Sequence, residues 1–201
     1  MATVDPDYMR LTYSCEYRGI PSLDHDPSDF PMNWSVSIDG LVWDEGEEDN
    51  DGREVHIGNA WFSIVPDAGM IDLFWTLDAV NQELANVAEM LTTERPDLMP
   101  NSGMDLGGDL LVLSSLRIEP QFRGNKLGHA ILKAILGTAG RAVSLVVLQA
   151  APLFSDEGPI EGSPEHTAAK AALRRYWADF GFQDASGDYL ALGEMADAFD
   201  V

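Results

Sequence analysis

The residues best placed to do chemistry lie in one run, LRIEPQFRGNKLGHAIL, residues 116–132. It reads as strand, turn and helix, with Gly124 and Gly128 flanking the point where the helix begins. Backbone N–H groups at a helix start lack intrahelical partners and carry the positive end of the helix dipole. Glycine lets an anion's oxygens come close to that backbone. Arg123 and Lys126 add formal charge. The chemistry on offer is therefore the cradling of a phosphate. The run is not a GxxxxGK[ST] loop, because Gly128 is followed by His129 and Ala130, nor a GxGxxG turn, so nucleotide hydrolysis loses its main support. Charge points the same way. No acid occurs between Glu119 and Asp156, whereas Arg123, Lys126, Lys133 and Arg141 all do. A buried strand and helix also hold few charges of either sign, and it is the glycines that favour the anion.

Other reactive side chains give weaker patterns. Glu47, Asp49, Asp51 and Gly52 imitate part of a calcium loop, but the twelfth position falls on Gly58, where a bidentate glutamate is needed. Asp24, His25 and Asp26 lack a spaced second histidine and read as a solvated loop. His56 falls within a strand alternation and reads as structural. His129, in the first helical turn beside the anion loop, is either a surface residue or part of the site. Ser114 and Ser115 have no GxSxG elbow around them, which argues against a serine hydrolase.

The elements that must position these groups follow from periodicity. Met9, Leu11, Tyr13, Cys15 and Tyr17 alternate with polar residues, as do Trp34, Val36 and Ile38 on the way to Trp43 and the run from Val55 through Ile64. The first is a strand, and the other two form a hairpin whose tip is the acidic DEGEEDNDG. Residues 19–32, with three prolines, read as a loop. Ile71, Leu73 and Trp75 suggest a further short strand. Asp78 then caps a helix bearing Val80, Leu84, Val87, Ala88 and Leu91, which Pro96 ends. RPDLMPNSGMDLGGD is a linker, lid or long loop. Beyond it come a strand over 110–118, a helix over 126–138 and a buried strand over 143–148. A helix over 164–180 is opened by Ser163 and Pro164 and closed by Gly181, and a hairpin spans 182–195.

Composition bounds the function. The chain has 201 residues, 45% apolar, enough for one domain with a real core. Its 34 acidic and 12 basic side chains give a formal charge of -22, which repels nucleic-acid phosphates and anionic membranes. Residues 1–100 hold 21 acids and 4 bases, the rest 13 and 8, so the halves carry -17 and -5. Cys15 is the only cysteine, which excludes an intramolecular disulfide and a cysteine-based zinc site and fits a reducing compartment. The first ten residues lack the basic and apolar stretches of a signal peptide. The longest apolar stretch, Val143 to Phe154, is too short for the roughly 20 residues that cross a bilayer. A cytoplasmic location is expected.

Arg123, Gly124, Asn125, Lys126, Leu127 and Gly128 resemble the pyrophosphate loop of the GNAT superfamily, the acyl-CoA-dependent N-acetyltransferases: Gln or Arg, two residues, Gly, one residue, Gly or Ala. Leu116, Ile118 and Pro120 are similar to that family's strand ending. Trp177 through Phe182 is similar to its helix ending in Tyr, three residues, Gly, Phe. The resemblance spans about residues 109–195. It implies a single α/β (α+β) domain over 1–201, with a mixed, largely antiparallel sheet flanked by helices and a CoA cleft between splayed central strands. Residues 109–195 would bind acetyl-CoA, with loop 123–128 on pyrophosphate and the backbone of Leu116 and Ile118 on pantetheine. Residues 1–100 would form a divergent, acidic acceptor side. The implied activity is acetyl transfer to a primary amine, with a cationic acceptor compatible with the acidic surface.

The chain departs from the family pattern in three places. Lys126 stands where a middle glycine is usual. Trp177 stands where a tyrosine often protonates the departing thiolate, with Tyr176 one position earlier. Val112 falls near the place of a glutamate base, leaving Asp109 and Glu119 as the nearest acids. The family also usually begins with a strand and two helices, whereas here three or four strands precede a helix. Two other readings remain: a CoA-binding regulator without catalysis, and an acidic interaction module or nucleic-acid mimic.

Overall fold

A computed structural model describes residues 6–17, 30–42, 52–152 and 159–193. The acidic hairpin tip over 43–51 and the Asp24, His25, Asp26 cluster lie outside the described residues. Three strands come first: β1 (Met9–Glu16), β2 (Met32–Val42) and β3 (Arg53–Val65). They pair antiparallel in chain order, with Leu11 opposite Ile38 and Val36 opposite Ala60. The period-two alternation predicted them because it places one apolar set against a core.

The next segment departs from expectation. Ile71, Leu73 and Trp75 do not form a strand: Leu73–Asp78 is a helix, α1, whose N-cap is Asp72, with its carboxylate accepting the Trp75 N–H. Leu73 and Leu77, four residues apart, face inward, and this helical spacing prevails over the period of two. Asp78 therefore ends a helix rather than opening one. The following helix, α2 (Gln82–Glu89), is capped by Asn81, whose Oδ1 accepts the Leu84 N–H at 2.9 Å. It runs into a π-helical turn, Met90–Glu94, and stops at Arg95 before Pro96. The long connection contains a short helix, α3 (Leu98–Asn101), and a 3-10 turn at Met104–Leu106.

The second half follows the sequence closely: β4 (Asp109–Ile118), α4 (Leu127–Thr138), β5 (Val143–Gln149), α5 (Pro164–Ala178), β6 (Gln183–Asp184) and β7 (Tyr189–Leu192). Ser163 Oγ accepts the His166 N–H at the start of α5, with Pro164 at the first helical position. Gly181, at φ +122°, lets the chain leave the helix.

Among the described residues, seven strands form one sheet, in the order β1-β2-β3-β4-β5-β7-β6, and only β4 and β5 run parallel. This is the mixed, largely antiparallel sheet with helices on its faces that the resemblance implies. Two cores result. On one face, Phe62, Ile64, Leu111 and Leu113 meet Ile131, Leu132 and Ile135 of α4 and Trp177 of α5. On the other, Leu110, Val112, Leu145 and Val147 meet Leu77, Leu84 and Val87 of α1 and α2. Helices α1, α2 and α3 thus follow three strands, not one. Of these, α1 and α2 pack on the sheet, and Trp61 of β3 stays exposed. Among the described residues, no helix is long and apolar enough to cross a membrane.

Candidate functional site

The site is set by where β4 parts from its parallel neighbour. Their pairing runs from Asp109 opposite Val143 to Leu113 opposite Leu148 and then ends, while β4 continues along β3 as far as Ile118 opposite Gly58. Among the described residues, 114–118 thus have no strand paired on that edge, and the space beside it is termed the gap. The Glu119 N–H is bonded to Ile57 of β3. By strand alternation, the peptide groups of Arg117 also face β3, and those of Leu116 and Ile118 face the gap. A bulge contributes as well. Phe62 pairs with Leu113 and Trp61 with Ser115, so Ser114 is the extra residue. The bulge brings Leu116 and Ile118 onto the face already occupied by Leu111 and Leu113.

The loop predicted to bind an anion sits at the end of this edge. After the turn Pro120–Phe122, three successive residues adopt positive φ: Gly124 at +105°, Asn125 at +48° and Lys126 at +52°. Gly124 has open space where a Cβ would be. Asn125 is a residue that tolerates the left-handed region, whereas Lys126 is not, and it is the helix N-cap without a side-chain hydrogen bond. Among the described residues, the N–H groups of Gly124, Asn125 and Lys126 have no protein acceptor, whereas Leu127 donates to the Gly124 carbonyl at 3.3 Å. Arg123 Nε donates to the Ile118 carbonyl at 2.9 Å, so the guanidinium is held across the mouth of the gap with its Nη groups remaining.

The cationic stretch is less concentrated than its sequence suggests. Lys126 Nζ pairs with the Asp179 carboxylate, which this contact holds below the usual range. Arg141 Nε donates to the Gly137 carbonyl at the far end of α4, and Lys133 lies midway along the helix. Arg123 and Lys126 are thus the two cations at the loop.

Gly128 serves a different purpose. A Cβ there would stand 2.5 Å from Tyr176 Oη and 3.3 Å from Leu116 Cδ2. The missing side chain admits the phenol, whose oxygen accepts the His129 N–H at 3.1 Å. The same N–H also donates to the Lys126 carbonyl at 2.9 Å, so Tyr176 is its second acceptor. Burial raises its pKa and the α4 amides oppose this, leaving it a neutral phenol. His129 Nε2 donates in turn to the Tyr176 carbonyl at 2.9 Å, and its ring packs 4.2 Å from the Tyr176 ring and 5.2 Å from Phe180. Burial lowers the His129 pKa and favours the uncharged ring. His129 is thus part of the α4–α5 contact and not a free surface residue. Trp177 is 6% exposed in the core, edge-on to Phe182.

The two candidate acids separate. Glu119 lies at the gap end of β4. Asp109 begins that strand, about 30 Å away at 3.3 Å per residue, where its Oδ1 accepts the Asp67 N–H and burial raises its pKa. His56 bonds Asp39 at 3.1 Å and Asn59 at 2.9 Å on the open sheet face. Among the described residues, no group of three or more His, Cys, Asp or Glu comes together as a metal site.

No protein-family model matches the chain, and no curated protein matches it in sequence. Among solved structures, it is similar to a mosquito arylalkylamine N-acetyltransferase like 5b, at 11% identity and a TM-score of 0.41 over 76% of this chain and 59% of that one. It is also similar to the apo form of a mutant agmatine N-acetyltransferase, at 12% identity and a TM-score of 0.38 over 81% and 76% of the two chains. A third likeness is to arylalkylamine N-acetyltransferase 2 from Aedes aegypti, at 12% identity and a TM-score of 0.35 over 79% and 70%. The chain thus spans under two thirds of the first of these proteins. Likenesses this distant carry no residue's role across.

Proposed function

We propose that the chain is an acyl-CoA-dependent N-acetyltransferase that moves an acetyl group from acetyl-CoA to a primary amine. One observation carries the reading: among the described residues, the edge of β4 at Leu116 and the Ile118 N–H pairs with no strand, the Ile118 carbonyl being taken by Arg123, and it leads directly to a helix-start loop whose Gly124, Asn125 and Lys126 N–H groups have no protein acceptor. An extended amide-bearing arm can pair with such an edge as an added strand, and a pyrophosphate fits successive amides at a helix start. Arg123, Gly124, Asn125, Lys126, Leu127 and Gly128 would line the pyrophosphate. In the reaction, the free amine nitrogen bonds to the thioester carbonyl carbon and the C–S bond breaks. The carbonyl oxygen is stabilised by a backbone N–H, the amine loses its proton to a base or water, and the thiolate leaves. In this reading 1–201 is a single domain, with residues 1–100 forming the acceptor side.

A second reading, CoA binding without turnover, is favoured by Trp177, which is buried and whose indole is no acid at neutral pH. Tyr176 accepts the His129 N–H and keeps its own proton, so it is the hydroxyl on which turnover would depend. The test is calorimetric titration with acetyl-CoA, first of the protein and then of Arg123→Glu. Binding is expected to weaken at least tenfold in the variant, because the Nη groups at the loop are replaced by a carboxylate. Equal affinity would refute the loop assignment, and binding without acetylation across an amine panel would favour the second reading.

A further inference from the structure

We propose that Met70, Phe74, Trp75 and Leu106 form a docking surface for a cationic amphipathic helix of a partner protein. These four residues are 70%, 40%, 71% and 88% exposed, on a protein whose other apolar side chains are mostly in its two cores. They are brought together by two turns that flank the start of β4. Gly69 packs so closely on the 3-10 turn that a Cβ there would lie 2.4 Å from the Met104 carbonyl oxygen and 2.8 Å from Asp105 Cα. The residue before Met70 thus packs against the residue before Leu106. Asp72 then starts α1, which carries Phe74 and Trp75 edge-to-face at 6.5 Å. The surface lies about 30 Å of strand from the loop at Arg123, so it is independent of the acetyl-transfer reading.

Charge selects the occupant. From residue 54 to residue 116 the chain has ten carboxylates and one cation, Arg95, and Arg95 is already engaged by Asp97 and the Ala185 carbonyl. Asp67, Asp72, Asp78 and Asp105 neighbour the apolar residues in sequence. Exposed apolar residues with acids beside them in the chain fit a helix with apolar side chains on one face and Lys or Arg beside them. A second copy of this chain would set like charges against each other, and an anionic membrane would be repelled in the same way.

The probe is a fluorescent 14-residue peptide of leucine and lysine at helical spacing, alongside a scrambled peptide of the same composition. Both are titrated by anisotropy into the full chain and into Met70→Ser/Trp75→Ser, which keeps every carboxylate. The ordered peptide is expected to bind at least tenfold more tightly than the scrambled one, and the double variant to lose that preference. Leu106→Ser, on the opposite turn, should weaken binding in the same direction and gives an independent reading if the double variant is unstable. Equal binding of both peptides, or undiminished binding to folded variants, would reduce the effect to bulk charge and overturn the proposal. So would dimerisation that the variants abolish, or equal affinity for phosphatidylglycerol vesicles.

Discussion

Gly128 and Tyr176 depend on each other residue by residue. The helices α4 and α5 approach only because one of them lacks a Cβ where the other places a phenol oxygen. Gly128→Ala should therefore destabilise the fold by about 1–3 kcal/mol, the usual range for overpacking. Tyr176→Phe removes the clashing atom and one of two acceptors of the His129 N–H, which also donates to the Lys126 carbonyl at 2.9 Å, so it should cost no more than about 1 kcal/mol. Combining the two should cost less than the sum of the singles, measured by urea unfolding. Additive costs would mean that alanine is accommodated by some other movement.

At the scale of elements, the bulge at Ser114 decides which way the end of β4 faces. Leu116 and Ile118 join the core of Leu111 and Leu113 only because one residue is inserted between the two pairs. Deleting Ser114 would turn both side chains to the opposite face. The expected loss is about 3 kcal/mol or more, from withdrawing two half-buried aliphatic side chains, whereas Ser114→Ala should change stability by no more than about 0.5 kcal/mol. Chemical denaturation of the two variants checks this, and equal midpoints would show that the register does not depend on the inserted residue.

For the whole molecule, the formal charge of -22 sets repulsion against a handful of exposed ion pairs. Arg10 with Glu54, Lys126 with Asp179 and Arg174 with Asp184 are all at the surface, where such pairs contribute little. Repulsion is the larger effect. Since screening shortens from about 10 Å at 0.1 M salt to about 3 Å at 1 M, Tm should rise over that range of NaCl. A falling Tm in calorimetry would mean that the ion pairs outweigh the net charge.

The sequence by itself determined the elements whose signals are local. Alternation in β1, β2 and β3 follows from one-sided burial, and Ser163, Pro164 and Gly181 mark α5 because caps act within one turn. The helix-start loop at Arg123 was legible for the same reason, since glycine spacing and charge act through the nearest backbone. Only the tertiary structure decided the rest. Leu73 fits a period of two with Ile71 and Trp75 and a period of four with Leu77, and the core beneath α1 selects the second. Lys126 pairs with Asp179, and Arg141 turns to a carbonyl at the other end of α4. That Tyr176, not Trp177, reaches the start of α4 depends on how α5 is rotated against it. The gap beside Leu116 and Ile118 likewise depends on β5 ending its pairing at Leu148. These are contacts between residues far apart in the chain, and no local pattern encodes the distance at which two elements meet.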